Sequence, residues 1–396
     1  MRILVYSHDT FGMGNIRRML AISRSLLTGI PQCSILLLTG SPLIHNLRPD
    51  SYERLDYVKL PCLTRTDRGV YESRSLDINI GDLVRLRSEL ILAAVQNYKP
   101  DLLLVDKKPR GVRGEITPTL EHLRTQLPRT RKVLILRDIL DRPEVIITNW
   151  EQRGHYDSLL NDYDRVLILG QREHFNPLSE YRFPSAVAAR SRFCGYLRRD
   201  VDAGSVQQIR MKLGLDGNRQ RLLLITPGGG ADGFRVIEAS LAALASQPPT
   251  DLLTVVVSGP EMPTVDRERL KLMAESLPLT RFIDFSHELP ALMAAADLVI
   301  SMAGYNTVCE ILSLQKRAIV VPRVTPTEEQ WLRAERLAPL GYFTTLHPNQ
   351  LTPELMRSEI RRQLALPDAL ATWSQVDLGG LEVINSEIRE LLGKDG

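Results

Sequence analysis

Two stretches of this chain set glycines, helix-start amides or a carboxylate at spacings that suit a phosphorylated ligand. Residues 297–333 read DLVISMAGYNTVCEILSLQKRAIVVPRVTPTEEQWLR. An apolar run of strand length at 298–301 enters a small-residue turn, and 308–314 is apolar at helical spacing, which predicts strand, turn and helix. Gly304 permits a tight turn. The unpaired amides of the first helical turn, around Tyr305, Asn306 and Thr307, make a positive pole suited to a diphosphate. Glu310 lies about one turn further on, where a carboxylate can accept two hydrogen bonds from a vicinal diol such as ribose. An exposed helix glutamate after a routine turn would give the same letters, and this window alone leaves both readings open. The second stretch, TPGGGADGF at 226–234, carries Gly228, Gly229 and Gly230, which allow positive φ and close approach of main chain to phosphate.

A weaker glycine loop, HDTFGMGNIRR at 8–18, contains Gly12 and Gly14. A dinucleotide fingerprint would need a third glycine at position 17 and an acid closing the second strand, but the chain has Arg17 and Thr39 there. Nicotinamide and flavin chemistry are disfavoured, and the lack of a GKS or GKT loop disfavours an ATPase. Lys107, Lys108, Arg110 and Arg113 follow an apolar strand run. With Arg17 and Arg18 they could line a positive wall for an anionic acceptor, a lipid diphosphate or a membrane surface, or they could be a solvated loop. Residues 64–75 (TRTDRGVYESRS) are polar and aperiodic and are expected to be a mobile loop.

The elements that must position these residues follow from periodicity. Apolar runs at 3–7, 34–39, 101–105, 133–136 and 166–169 alternate with helical patterns such as 15–27. A second set begins at 222–226 and continues at 253–258, 282–285, 298–301 and 318–321. Continuous apolar strands alternating with amphipathic helices predict an α/β fold with parallel sheets covered on both faces. Two Rossmann-like doubly wound domains in tandem are expected, residues 1–196 and 197–378, with 379–396 as a final helix. Ligands then belong at the carboxyl ends of the strands and in a cleft between domains.

Composition narrows the class. The length exceeds one ordinary core, 43% of residues are hydrophobic and 24% charged, and the net charge is only +3. A nucleic-acid binder is not indicated, since no basic run is interleaved with aromatics. Cys33, Cys62, Cys194 and Cys309 lack metal or redox spacing, which with the lack of a long apolar segment points to a cytoplasmic chain. No DxD pair, HExxH or histidine cluster is visible, so no metal and no cofactor are expected.

The 297–333 window resembles the donor-binding segment of glycosyltransferase family 28. The resemblance implies the GT-B architecture, with the final helix returning to the first domain, and transfer of a sugar from a nucleoside diphosphate, uridine diphosphate above all, to a hydroxyl acceptor, usually with inversion. It gives Glu310 the ribose and Glu329 with Gln330, in TEEQWLR, the sugar hydroxyls; an acid here replaces the first of the family's paired amides. Residues 285–297 (FSHELPALMAAAD) resemble the segment whose main chain reads the uracil, with Ser286 at the matching position. Family members often have a histidine or acid directly after the second glycine of the first loop to act on the acceptor. This chain has Asn15, which cannot be a general base near neutral pH. Three outcomes stay open: His8 or Asp9 acts instead, Asp106 does, or the acceptor is acidic enough to need no base. His8 could equally be a hydrogen-bonded strand-end histidine, and Asp9 a turn cap. A nucleotide-sugar epimerase or hydrolase on the same scaffold, or a GT-B-like binding protein without turnover, are the rival readings.

Overall fold

The computed structural model describes residues 1–8, 14–47, 53–65, 70–215, 220–247, 250–367 and 373–393. Two compact units divide the chain, Met1–Leu197 with Gly379–Gly396, and Arg198–Leu378.

The first unit contains β1 (Arg2–Ser7), β2 (Ser34–Thr39) and β3 (Leu55–Lys59), a hairpin of β4 (Leu63–Arg65) and β5 (Tyr71–Ser73), then β6 (Leu102–Asp106), β7 (Arg131–Arg137), β8 (Arg165–Leu169) and β9 (Ser191–Gly195). Among the described residues seven of these form one sheet in the order β3-β2-β1-β6-β7-β8-β9, with every pairing parallel. Ile3, Leu4, Val5 and Leu102–Asp106 are buried, as strands covered on both faces require.

The second unit contains β10 (Arg221–Thr226), β11 (Leu252–Val257), β12 (Thr280–Ile283), β13 (Leu298–Ser301), β14 (Ala318–Val320) and β15 (Thr344–Thr345). Its parallel order is β12-β11-β10-β13-β14-β15. Leu223, Ile225, Val256, Ile300 and Ile319 carry its core, closed on one side by Ile237 and Leu241 of the helix Phe234–Ala245. The chain is thus an α/β protein with two Rossmann-like sheets. In each sheet the winding direction reverses once, between β1 and β6 and between β10 and β13. Such reversals part the loops at the carboxyl ends of the strands and open a crevice there.

The helix Gly380–Gly393 belongs to the first unit. Asn385 donates to Ser25 Oγ at 2.9 Å, Glu387 pairs with Arg165, and Leu197 bridges to Gly379. Residues 64–75 correct the expectation of a loop. Antiparallel pairing of Leu63 with Ser73 and of Thr64 with Glu72 builds the hairpin, and Leu63 and Tyr71 are buried with Leu83 and Val112. Three-residue strands are too short to display an alternating pattern; residues 66–69 lie outside the described residues.

Candidate functional site

The crevice of the second unit is made largely of main chain. After β10 the chain turns through Gly228 (φ 87°) and Gly230 (φ 101°). A Cβ on Gly230 would stand 2.3 Å from Ser258 O, and one on Gly259 (φ 90°) would stand 2.5 Å from Gly228 O. Two loops therefore cross backbone on backbone, which only glycine permits at both conformations. Glu261 N donates to Gly229 O at 2.9 Å and locks the crossing.

Across the reversal, β13 leads through Gly304, in extended conformation, into the helix Tyr305–Leu314. No side chain caps this helix start, so its first-turn amides point out of the strand end as a positive pole. Gly228 and Thr307 are close neighbours, since a Cβ on Gly228 would lie 3.6 Å from Thr307 Oγ1. The glycine loop and the helix start thus share one crevice. Glu310 is only 2% exposed, so it is not an exposed helix glutamate. Arg333, fully buried, donates to Ala303 O at 2.9 Å and lies over the Tyr305 ring at 5.7 Å, which fixes the turn.

Glu329 and Gln330 begin the helix Glu329–Leu337 beside β14, each 8% exposed. Gln330 Oε1 accepts from Arg323 N at 3.1 Å, and Arg323 Nη2 lies 3.2 Å from Glu329 Oε1. Arg323 Nη1 reaches Asp232 Oδ2, beyond the glycine loop, at 3.0 Å. Ser286 Oγ accepts from Glu288 N at 3.1 Å, a turn contact just ahead of the helix Leu289–Ala295.

The crevice of the first unit is made of side chains. Asp106, fully buried, takes Arg18 Nη2 on both oxygens at 2.7 and 2.9 Å. This differs from two expectations: Arg18 is 1% exposed and part of no surface wall, and Asp106 has its lone pairs engaged by a guanidinium rather than turned to an acceptor. Asn15 accepts from the same Arg18 nitrogen at 2.9 Å and donates to His8 O, so its amide ties the end of β1 to the following helix. A second buried knot joins Arg87 to Glu115 (2.6 and 2.8 Å), with Tyr6 donating to Glu115.

His8 is 3% exposed, and its Nδ1 is buried without a hydrogen-bond partner among the described residues. Burial, then the charges of Lys108, Lys107, Arg87 and Arg137, hold its imidazole well below the usual histidine range. His155, stacked on Trp150, is lowered to about 4 by burial and by Lys108, Arg153 and Arg110. Lys107 (φ 65°) turns the chain out of β6, Lys108 donates to Tyr71 OH at 2.6 Å, and Arg110 donates to Arg153 O at 3.2 Å. Gly14 and Arg17 lie in the helix Gly14–Gly29. Asp9 and Gly12 lie outside the described residues.

The sequence reading missed Arg323, Asp232, Arg333 and Gly259. Only Gly259 left a signal, a glycine closing a continuous apolar strand. Among the described residues no three His, Cys, Asp or Glu side chains converge as a metal site, and no helix is long and apolar enough to cross a membrane.

Residues 223–376 match the model of the glycosyltransferase family 28 C-terminal domain. Over 168 residues the chain is 29% identical to the UDP-N-acetylglucosamine--N-acetylmuramyl-(pentapeptide) pyrophosphoryl-undecaprenol N-acetylglucosamine transferase of Clostridium perfringens, covering 42% of this chain and 44% of that protein. The chain thus spans less than half the length of the curated relatives that it matches. Whole-chain structural likeness extends to MurG of Acinetobacter baumannii, with a TM-score of 0.62 at 14% identity over 98% of this chain and 99% of that one. The UDP-GlcNAc 2-epimerase of Neisseria meningitidis bound to UDP-GlcNAc also scores 0.62 at 14% identity, over the full length of both chains. Sheet order, main-chain crevice and family match coincide on the same segment: the protein has the two-domain GT-B fold, and its second unit is a glycosyltransferase family 28 C-terminal domain.

Proposed function

We propose that the protein is a glycosyltransferase that moves a sugar from a nucleoside diphosphate, uridine diphosphate above all, to a hydroxyl acceptor. The observation that carries this reading is the buried Glu310 on a helix whose uncapped start faces a glycine loop at the strand-order reversal of the family 28 domain.

In this reading the amides of Gly228, Gly229 and Gly230 and of the Tyr305 helix start hold the diphosphate. They then stabilise the charge that grows on it as the glycosidic bond breaks. Glu310 accepts from the ribose hydroxyls, the 285–297 segment meets the uracil with its main chain, and Glu329 with Gln330 takes the sugar. On the acceptor side, His8 is the candidate base; burial and the neighbouring cations keep it uncharged but also weaken it as a proton acceptor, which favours an acidic acceptor hydroxyl. The positive loop of Lys107, Lys108 and Arg110 favours an anionic acceptor, as in the relatives named for a pyrophosphoryl-undecaprenol substrate. Such an acceptor would bring the protein to a membrane surface as a peripheral partner.

Calorimetry of UDP, GDP, ADP and NAD, without metal, tests the donor site. Selective UDP binding is expected, and Glu310→Ala should weaken it by about 10- to 150-fold, the loss of hydrogen bonds to a charged acceptor. Unchanged UDP affinity in Glu310→Ala would refute the site. The likeness to a 2-epimerase supports a second reading, in which the bound donor reacts without a second sugar acceptor. Donor consumption in the absence of added acceptor separates the two.

A further inference from the structure

A cavity of about 560 Å3 opens at the amino ends of β10 and β11, on the edge of the second sheet away from the glycine loop. Arg221 and Leu252, the first residues of those strands, line it. The helix Phe234–Ala245 contributes Ala243 and Leu244, and the helix Pro353–Ala365 contributes Ile360 and Leu364. Strand β10 has six residues, so about 17 Å of strand separates this cavity from the crevice beyond Thr226. Leu244, Leu252 and Ile360 are buried and make an apolar floor, whereas Arg357 is half-buried and Arg361 exposed.

Three guanidiniums stand at this cavity, Arg221, Arg357 and Arg361, against one carboxylate, Asp251. Asp251 pairs with Arg221 at 2.9 Å. Arg357 and Arg361 have neutral partners instead, Ser246 Oγ and Gln247 Oε1, and among the described residues no carboxylate pairs with either. Arg362, the next residue on the helix, differs: Glu359 holds it at 2.6 Å. Like charges at i and i+4 of a helix repel. The carbonyls that end the helix Phe234–Ala245 return only about half an elementary charge. Most of the positive charge of Arg357 and Arg361 therefore stays unbalanced beside an apolar floor. A molecule that suits such a space is apolar in its body and anionic at its head. Two guanidinium forks match phosphate better than carboxylate, which has fewer oxygens to share between them.

We infer that this cavity is a ligand site for a small amphipathic phosphate. Its alkyl or aryl body lies against Leu244, Leu252 and Ile360, and its phosphate is held by Arg357 and Arg361. The site lies at the opposite strand ends from the main-chain crevice and does not depend on the glycosyltransferase reading.

The experiment measures calorimetric affinity for octyl phosphate, octanoate, octanol and inorganic phosphate. The proteins are wild type, the double variant Arg357→Gln with Arg361→Gln, and Ala365→Glu. Ala365 is exposed on the cavity wall, so a carboxylate there meets the phosphate without entering the core. Wild type should bind octyl phosphate at one site, about tenfold or more tightly than each of the other three probes, because only octyl phosphate uses both the floor and the guanidiniums. The double variant and Ala365→Glu should each weaken octyl phosphate by about tenfold or more with an unchanged melting temperature. Ala365→Glu supplies the result if the double variant melts early. UDP should not displace octyl phosphate. The inference is overturned if octyl phosphate shows no saturable binding up to about 1 mM, or if octanol, octanoate or inorganic phosphate binds as tightly. Undiminished binding in the folded variants, or displacement by UDP, would place the ligand elsewhere and overturn it too.

Discussion

The two strand-order reversals share a topology and are filled by opposite means. Between β1 and β6 the crevice is knotted by buried side chains, Arg18 with Asp106 and Arg87 with Glu115 and Tyr6. Between β10 and β13 it is built of main chain, with glycines crossing at distances that exclude a Cβ and a helix start without a cap. Side-chain knots set a shape and a charge pattern that belong to one protein, whereas bare amides make a general anion site. The first crevice should therefore fail when a charge is removed, and the second when a carbon is added.

The largest effect should come from Arg87→Met, which leaves Glu115 buried without its counter-charge. A loss of about 3 to 5 kcal/mol is expected, read by hydrogen exchange in β1 and β6 with β10 and β13 unchanged. Gly230→Ala should act on the other unit. Positive φ and the clash with Ser258 O should cost about 2 to 3 kcal/mol, visible in denaturant titration and in reduced UDP binding. Equal damage to both units from either substitution would break the contrast.

The most gradual effect is on pH. His155 stays uncharged in the folded protein down to about 4, against an ordinary value of 6.5. Between those values the unfolded chain binds the extra proton, so stability is full above about pH 7 and falls as pH drops towards 4. Roughly 3 kcal/mol should be lost over that window. His155→Phe, which keeps the stacking on Trp150, should flatten this part of the melting-temperature profile. A profile unchanged by the substitution would remove His155 as its cause.

The fold was legible where strands are buried on both faces. SILLLT and LVIS lie in the structure as β2 and β13, with the bounds expected. β3 (LDYVK) and β9 (SRFCG) mix polar and apolar residues at sheet edges, and β15 has two residues, so none carried a pattern. The site divides in the same way. Gly228, Gly230 and Gly304 announce themselves because glycine is needed wherever main chain meets a ligand or crosses itself. Arg323 and Asp232 are 91 positions apart, and Arg18 and Asp106 are 88 apart. Nothing local distinguishes such an arginine from a solvated one; only the folded chain supplies its partner.

The helix Gly380–Gly393 carries one more consequence. The second unit is an insertion, since the chain enters it after Leu197, leaves it before Gly379, and those two residues are bridged. On the ribosome, residues 198–378 are therefore complete while the first unit still lacks its closing helix, which must bring Glu387 to Arg165 and Asn385 to Ser25. The main-chain crevice of the second unit can mature first. The knotted crevice of the first unit gains its final support only after the second unit has been made.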